Sequence, residues 1–243
     1  MTAIRCDVEP IGTHLLVRVT GELSMVSAPR VRAALTKCLV EQPDSIVIDV
    51  AGMRVAEPRA LSVFRAVSRQ AVIWPGIPLL FAAPTPEIAE LIVVSGEGRP
   101  AVFGSVEAAL AAGPRQRMPV VSDMLLPAVG SASRAREVVT AACARWDLPY
   151  LTEPAVVIAG ELVTNAAQHA RTMMTLRLTL SRRYLLIAVR DGSTVEPKPP
   201  VTATGDPDAP RGLLLVDALA VRWGSHTTFD GKVVWATLSR PAR

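Results

Sequence analysis

Two spacings of apolar residues alternate along the first half of the chain. Short runs with strand character, HLLVRVTG (14–21), SIVIDV (45–50) and IPLLFAA (77–83), are separated by stretches whose apolar positions recur at helical spacing. These stretches predict helices over 27–41, 60–74, 85–96 and 105–113, the first with Ser27 as N-cap and Pro29 in its opening turn. Strands alternating with helices imply a layered α/β domain, helices packed on a sheet.

The order changes after GPRQRMP (113–119), whose Pro, Gly and charge content reads as a linker and divides the chain into domains of 1–113 and 114–243. A strand (119–126) precedes a helix over 131–148 capped by Ser131 or Ser133, and a second helix with Thr152 as N-cap and Pro154 near its first turn. Adjacent strands follow over 172–181 and 183–193, then a polar, Pro-rich stretch (193–210), a helix opening at Arg211–Gly212, and a hairpin turning near Asp230–Gly231. Helices set against mostly antiparallel strands predict an α+β two-layer sandwich.

Within the long helix, GELVTNAAQHA (160–170) carries two interleaved patterns. Leu162, Val163, Ala166 and Ala170 form an apolar face, while Glu161, Asn165 and His169 recur every four residues. At about 100° per residue, Asn165 lies about 60° and His169 about 20° from the direction of Leu162. Both polar groups are therefore expected toward the core side, which calls for something to bond.

Composition narrows the setting. Half of the 243 residues are apolar and mean hydropathy is +0.32, enough for one or two real cores. No apolar run approaches the roughly 18–20 residues that cross a bilayer, and the opening MTAIRCDVEP lacks the apolar segment of a secretory signal. Cys6, Cys38 and Cys143 are far apart without metal-ligand or redox spacing, so a reduced cytoplasmic home is expected. Residues 1–113 hold 10 Lys and Arg against 11 Asp and Glu, and residues 114–243 hold 16 against 11. The basic half has its arginines scattered singly, at most two adjacent, with few aromatics between them, which argues against direct nucleic-acid binding.

Three pieces of the second half suit a nucleotide with a metal ion. Asn165 can offer an amide oxygen to Mg²⁺, a hard cation held by few protein oxygens plus phosphates. Glu161, one turn earlier, can accept a proton from an attacking hydroxyl or water. Asp191, followed by Gly192 at the end of an apolar strand, suits the exocyclic amine of adenine. A helix opening at Gly212 presents free N–H groups and a positive dipole end to phosphates. The stretch before it is long for a compact domain, as lids are.

These phrases, ELVTNAAQHA, VRDGS and RGLLLVDALAVRWG, resemble the N-, G1- and G2-boxes of the GHKL (Bergerat) ATPases, most closely the actinobacterial type of anti-sigma-factor serine kinase, over about residues 119–239. The resemblance implies ATP and Mg²⁺ as cofactors, with Glu161 as general base and Asn165 as metal ligand. It implies that Asp191 binds adenine, that Gly192, Gly212 and Leu213 frame the pocket, and that Arg211 lies near the phosphates beneath a lid over 193–210. It also departs from the pattern. DGSTVEP follows the aspartate where more glycine is usual, Pro210 stands where relatives commonly carry glycine, and Val233 stands where many place a threonine in the adenine pocket.

The first half resembles a STAS domain, the fold of anti-sigma-factor antagonists, over residues 12–112, through LVRVTGELSMVSAPRVRAAL and SIVIDVAGMRVAEPRAL. The family's phosphorylation loop reads roughly Asp-Ser-x-Gly-Leu, and EPRAL aligns with it, so Pro58 replaces the phosphoacceptor serine. Ser62 falls a turn further along, inside the next helix. Together the two resemblances imply a partner-switching regulator whose partners are a sigma factor, a separate STAS antagonist or both; the resemblance allows a homodimer, and the sequence leaves the oligomeric state open. Two activities remain open: ATP-dependent phosphorylation of a serine on that antagonist, and a catalytically inactive scaffold that acts by binding alone.

Overall fold

A computed structural model of the chain describes residues 3–95, 101–112, 118–197 and 211–240. It divides into two compact units, Met1–Arg117 and Met118–Arg243. Most of the expected linker 113–119, namely 113–117, and most of the expected lid, 198–210 with Pro210, lie outside the described residues.

The first unit runs β1 (Arg5–Ile11), β2 (His14–Leu23), α1 (Ala28–Val40), β3 (Ser45–Asp49), β4 (Met53–Val55), a 3-10 turn (Pro58–Leu61), α2 (Ser62–Ile73), β5 (Leu79–Ala82), α3 (Pro86–Ser95), β6 (Ala101–Phe103) and α4 (Val106–Ala112). The sheet order is β1-β2-β3-β5-β6, with β4 paired to β2. The β1–β2 hairpin is antiparallel and the other pairings are parallel. Strand alternation splits the apolar residues between two cores. Leu16, Val47 and Leu80 meet Ala109 of α4 on one face, while Val17, Ile46, Ile48 and Phe81 meet Val31 and Leu35 of α1 and Val67 of α2 on the other.

Three strands have no counterpart in the apolar pattern. β1 is an edge strand with mostly exposed side chains, so it needs no apolar alternation, and its edge position tolerates Pro10. β4 and β6 are three residues each, too short for a period to register. Ser27 does hold the N-cap position of α1, but its hydroxyl bonds backward, donating to the Glu22 carbonyl at 3.0 Å and accepting from the Ser24 N–H at 2.8 Å.

The second unit runs β7 (Val120–Leu125), α5 (Ser131–Arg145), α6 (Pro149–His169), β8 (Met174–Leu180), β9 (Tyr184–Asp191), α7 (Arg211–Leu219), β10 (Arg222–Thr227) and β11 (Lys232–Ser239). Its sheet, ordered β10-β11-β9-β8-β7, is antiparallel throughout. The inward set Leu176, Leu178, Leu185, Ile187, Val189 and Val234 packs in one core with α5, α6 and α7. The helix starts differ from expectation. Gly130, at φ +100, is the N-cap of α5, so Ser131 is its first residue rather than its cap. Helix α6 starts at Pro149, where a missing N–H is harmless, so Thr152 and Pro154 lie inside it rather than at its start. Helix α7 stops at Leu219, because residues 222–227 are drawn into pairing with β11. Among the described residues, no helix is long and apolar enough to cross a membrane.

Candidate functional site

Helix α6 buries Ala155, Ile158, Ala159, Leu162, Val163 and Ala166 against the sheet and its neighbouring helices. The polar pattern interleaved with this face divides two ways. Glu161 and Asn165 are half-buried, as residues beside a core face should be, and neither has a hydrogen-bond partner among the described residues. His169 is exposed instead of core-facing, because it is the last residue of α6 and has run past the packed face. There its basic ring suits the negative end of the helix dipole.

Helix α7 brings the next pieces to Glu161. A Cβ on Gly212 would collide with the Glu161 carboxylate, so the bare glycine is what lets this carboxylate lie against the first turn of α7. Leu213 is buried in the core beneath, and Val216 one turn on is fully buried. Arg211 is the first residue of α7, and its side chain lies outside the described residues. Glu161, Gly212 and Leu213 are therefore neighbours, as the motif order leads one to expect.

Asp191 closes β9 directly opposite Lys232, which opens β11 in antiparallel register. Side chains of a strand alternate between faces. Asp191 shares the face of Val189 and Ile187, and Lys232 shares that of Val234 and Ala236, the side covered by the helices. Val233 pairs with Arg190 and faces the other way, so the residue beside Asp191 is Lys232 and not Val233. In a strand one residue changes the face, so Val233, the position that the resemblance sets in the adenine pocket, is not the one opposite Asp191.

Lys232 Nζ donates to Asp191 Oδ1 at 2.9 Å, and the two side chains are only 2% and 1% exposed. The same oxygen accepts the Ser193 N–H at 2.8 Å, while Lys232 Nζ also reaches the Ser193 carbonyl at 3.5 Å. Asp191 Oδ2 is buried and has no hydrogen-bond partner among the described residues. Gly192 donates its N–H to Thr172 Oγ1 at 2.8 Å, and a Cβ there would stand 3.1 Å from Thr172 Cγ2. Gly231, before Lys232, approaches the Asp191 carbonyl and the Gly192 Cα so closely that a Cβ would overlap both.

Lys232, Thr172 and Ser193 are absent from the motif reading. One of them left a trace in the sequence: a lysine at the head of the apolar run VVWA needs a buried counter-charge. Thr172 and Ser193 left none, since each acts through a turn.

The two ends of the site differ in what their polar groups are engaged with. Asn165 carries an amide one turn along α6 from Glu161, whose carboxylate lies against the first turn of α7, and an amide oxygen is a donor suited to Mg²⁺. Asp191 Oδ1 is already shared by the Lys232 ammonium and the Ser193 N–H, while Oδ2 has no partner among the described residues.

Sequence comparison matches residues 126–238 to the family described as histidine kinase-like ATPase domain, and residues 5–109 to the STAS domain. The chain joins an N-terminal STAS domain to a C-terminal histidine kinase-like ATPase domain. Solved structures similar to it include an anti-sigma factor antagonist from Mycobacterium paratuberculosis, at 22% identity over 46% of this chain and 95% of that one, with a TM-score of 0.38. RsbS from Moorella thermoacetica is 18% identical over 44% of this chain and 92% of that one, with a TM-score of 0.39. The histidine kinase domain of a blue-light-activated kinase from Erythrobacter litoralis is 13% identical over 87% of this chain and 93% of that one, with a TM-score of 0.28. No curated protein matches the chain.

In the STAS domain, Pro58 is exposed and opens the 3-10 turn, while Ala60 and Leu61 turn into the core. Glu57 accepts the Met25 N–H at 3.2 Å, which ties this loop to the segment before α1. Ser62 is exposed as the first residue of α2. The loop therefore presents Glu57, Pro58 and Arg59 to solvent, and no hydroxyl among the three.

Proposed function

We propose that the chain is a cytoplasmic partner-switching regulator of sigma factor activity, whose ATPase domain binds Mg-ATP and phosphorylates a serine on a separate STAS antagonist. The pairing of a STAS domain with an ATPase domain of this type fits that architecture. The observation that carries the kinase reading is the Glu161 carboxylate lying against Gly212 at the opening of α7, with Asn165 one turn further along α6.

Bound Mg-ATP would supply the γ-phosphoryl group. In this reading Asn165 would hold the metal, and the α7 N-terminus and Arg211 would hold the phosphates. Glu161 takes the proton of the attacking serine hydroxyl. Positioning and charge neutralisation are then the main catalytic contributions. The domain's own STAS partner cannot receive phosphate at position 58, so it would serve as a fixed docking module, while a sigma factor or antagonist binds in trans. A homodimer belongs to the same reading.

A second reading, an inactive scaffold, is favoured by one specific feature, the Lys232–Asp191 ion pair. The experiment is transfer of radiolabel from ATP to separate STAS proteins by the full chain, with Glu161→Gln as control. Label on a serine that disappears in the variant supports the kinase. No transfer in any pairing leaves the scaffold.

A further inference from the structure

We infer that Lys232 is a built-in occupant of the base-reading carboxylate, so that the ATPase domain takes adenine nucleotides only when this ammonium is displaced. The inference rests on the nucleotide reading above and adds to it a specificity-determining residue.

Three observations lead to it. The first is register: Lys232 and Asp191 are directly opposed on the helix-facing side of neighbouring strands, and their contact follows from backbone pairing. The second is burial: side-chain exposures of 2% and 1% mean that the pair is a fixture of the interior and not a rim contact. The third is the uneven use of the carboxylate. Oδ1 serves both Lys232 and the Ser193 N–H, while Oδ2 is buried with no partner among the described residues. A buried carboxylate oxygen without a donor is costly unless something else will provide one.

Chemically, an ammonium imitates what Asp191 would read on a base. Adenine offers an exocyclic N–H donor to a carboxylate. Lys232 offers the same kind of donor with a full positive charge, so it competes favourably for the acceptor. Seating a base requires the Lys232 side chain to leave its buried position or to make room beside it. Either change forfeits part of a desolvated ion pair. A shorter, neutral residue at 232 would expose the carboxylate and leave it uncompensated, a state that an incoming amine repairs. The replacement that weakens the empty domain should therefore strengthen binding.

The test uses the full chain and two variants, Lys232→Thr and Lys232→Gln. Glutamine keeps a neutral donor at nearly the same reach, so it preserves the fold if threonine does not. Calorimetric titration with Mg-ATP and with Mg-GTP is paired with thermal unfolding of the same samples, since a ligand raises stability by mass action. The expected result is ATP affinity at least roughly tenfold higher in Lys232→Thr than in the unaltered chain, a difference of about 1.4 kcal/mol. Lys232→Gln should fall between them, with little change for GTP, whose base carries a carbonyl in place of that amine. Equal ATP affinity in the unaltered chain and both variants would overturn the inference and leave the nucleotide reading standing. If all three ignore nucleotide, the nucleotide reading falls and takes the inference with it.

Discussion

Removing one member of the Lys232–Asp191 pair should damage the ATPase domain far more than removing both. At 2.9 Å the two charges attract by about 6 kcal/mol, taking an effective dielectric of 20. Most of that attraction offsets the cost of taking both groups out of water. Lys232→Met leaves a buried carboxylate whose remaining partner is the Ser193 N–H, and Asp191→Asn leaves a buried ammonium. Each should cost about 3–5 kcal/mol, a large share of the 5–15 kcal/mol typical of a whole domain. The double variant carries neither charge and should lie within about 1–2 kcal/mol of the unaltered protein. The assay is urea unfolding of the four chains, followed by tryptophan fluorescence, with Trp146, Trp223 and Trp235 reporting on the ATPase domain. The cycle isolates the coupling because the two residues share one contact. A coupling below about 0.5 kcal/mol, or a Lys232→Met cost below about 1 kcal/mol, would refute the argument that this pair is desolvated and mutually dependent.

Two glycines of the same domain should respond in opposite ways. Gly212→Ala meets only the flexible end of Glu161, so chemical denaturation should show a change within about 1 kcal/mol, while Glu161 is pushed from its place and phosphoryl transfer drops. Gly231→Ala meets the backbone of Asp191 and Gly192, which cannot move aside, and should cost about 3 kcal/mol by the same measurement. In the STAS domain, burial pushes the Cys38 thiol up from 9.0 to about 11. The unfolded chain therefore loses this proton first. Stability of that domain should fall as pH rises from about 9 toward 11, by at most about 1.4 kcal/mol per pH unit from this group. Cys38→Ala should flatten that part of the pH profile, and an unchanged slope would exclude Cys38 as its source.

Much of this protein was legible in the order of its residues. Apolar periods of about two and about 3.6 are local properties, so the strands at 14–21 and 45–50 and the long helix carrying Glu161 and Asn165 could be read without knowing what they touch. Motif order carried further, because Glu161 and Gly212 meet across two adjacent helices. The edge strand Arg5–Ile11 stayed hidden because its side chains face solvent, and the start of α6 was misplaced because Thr152 and Pro154 imitate a helix start inside the helix.

The partner of Asp191 was decided only in three dimensions. Lys232 is 41 residues away in sequence, and its place at the head of an apolar run calls for a counter-charge without saying which one. The register of β9 on β11 makes that choice, and register depends on the hydrophobic faces of two strands packing against the same helices at once. A shift of one residue would have turned the lysine away and put a valine against the carboxylate. Residue order determined which chemistry the chain carries, and tertiary pairing decided which of those groups are already engaged with each other.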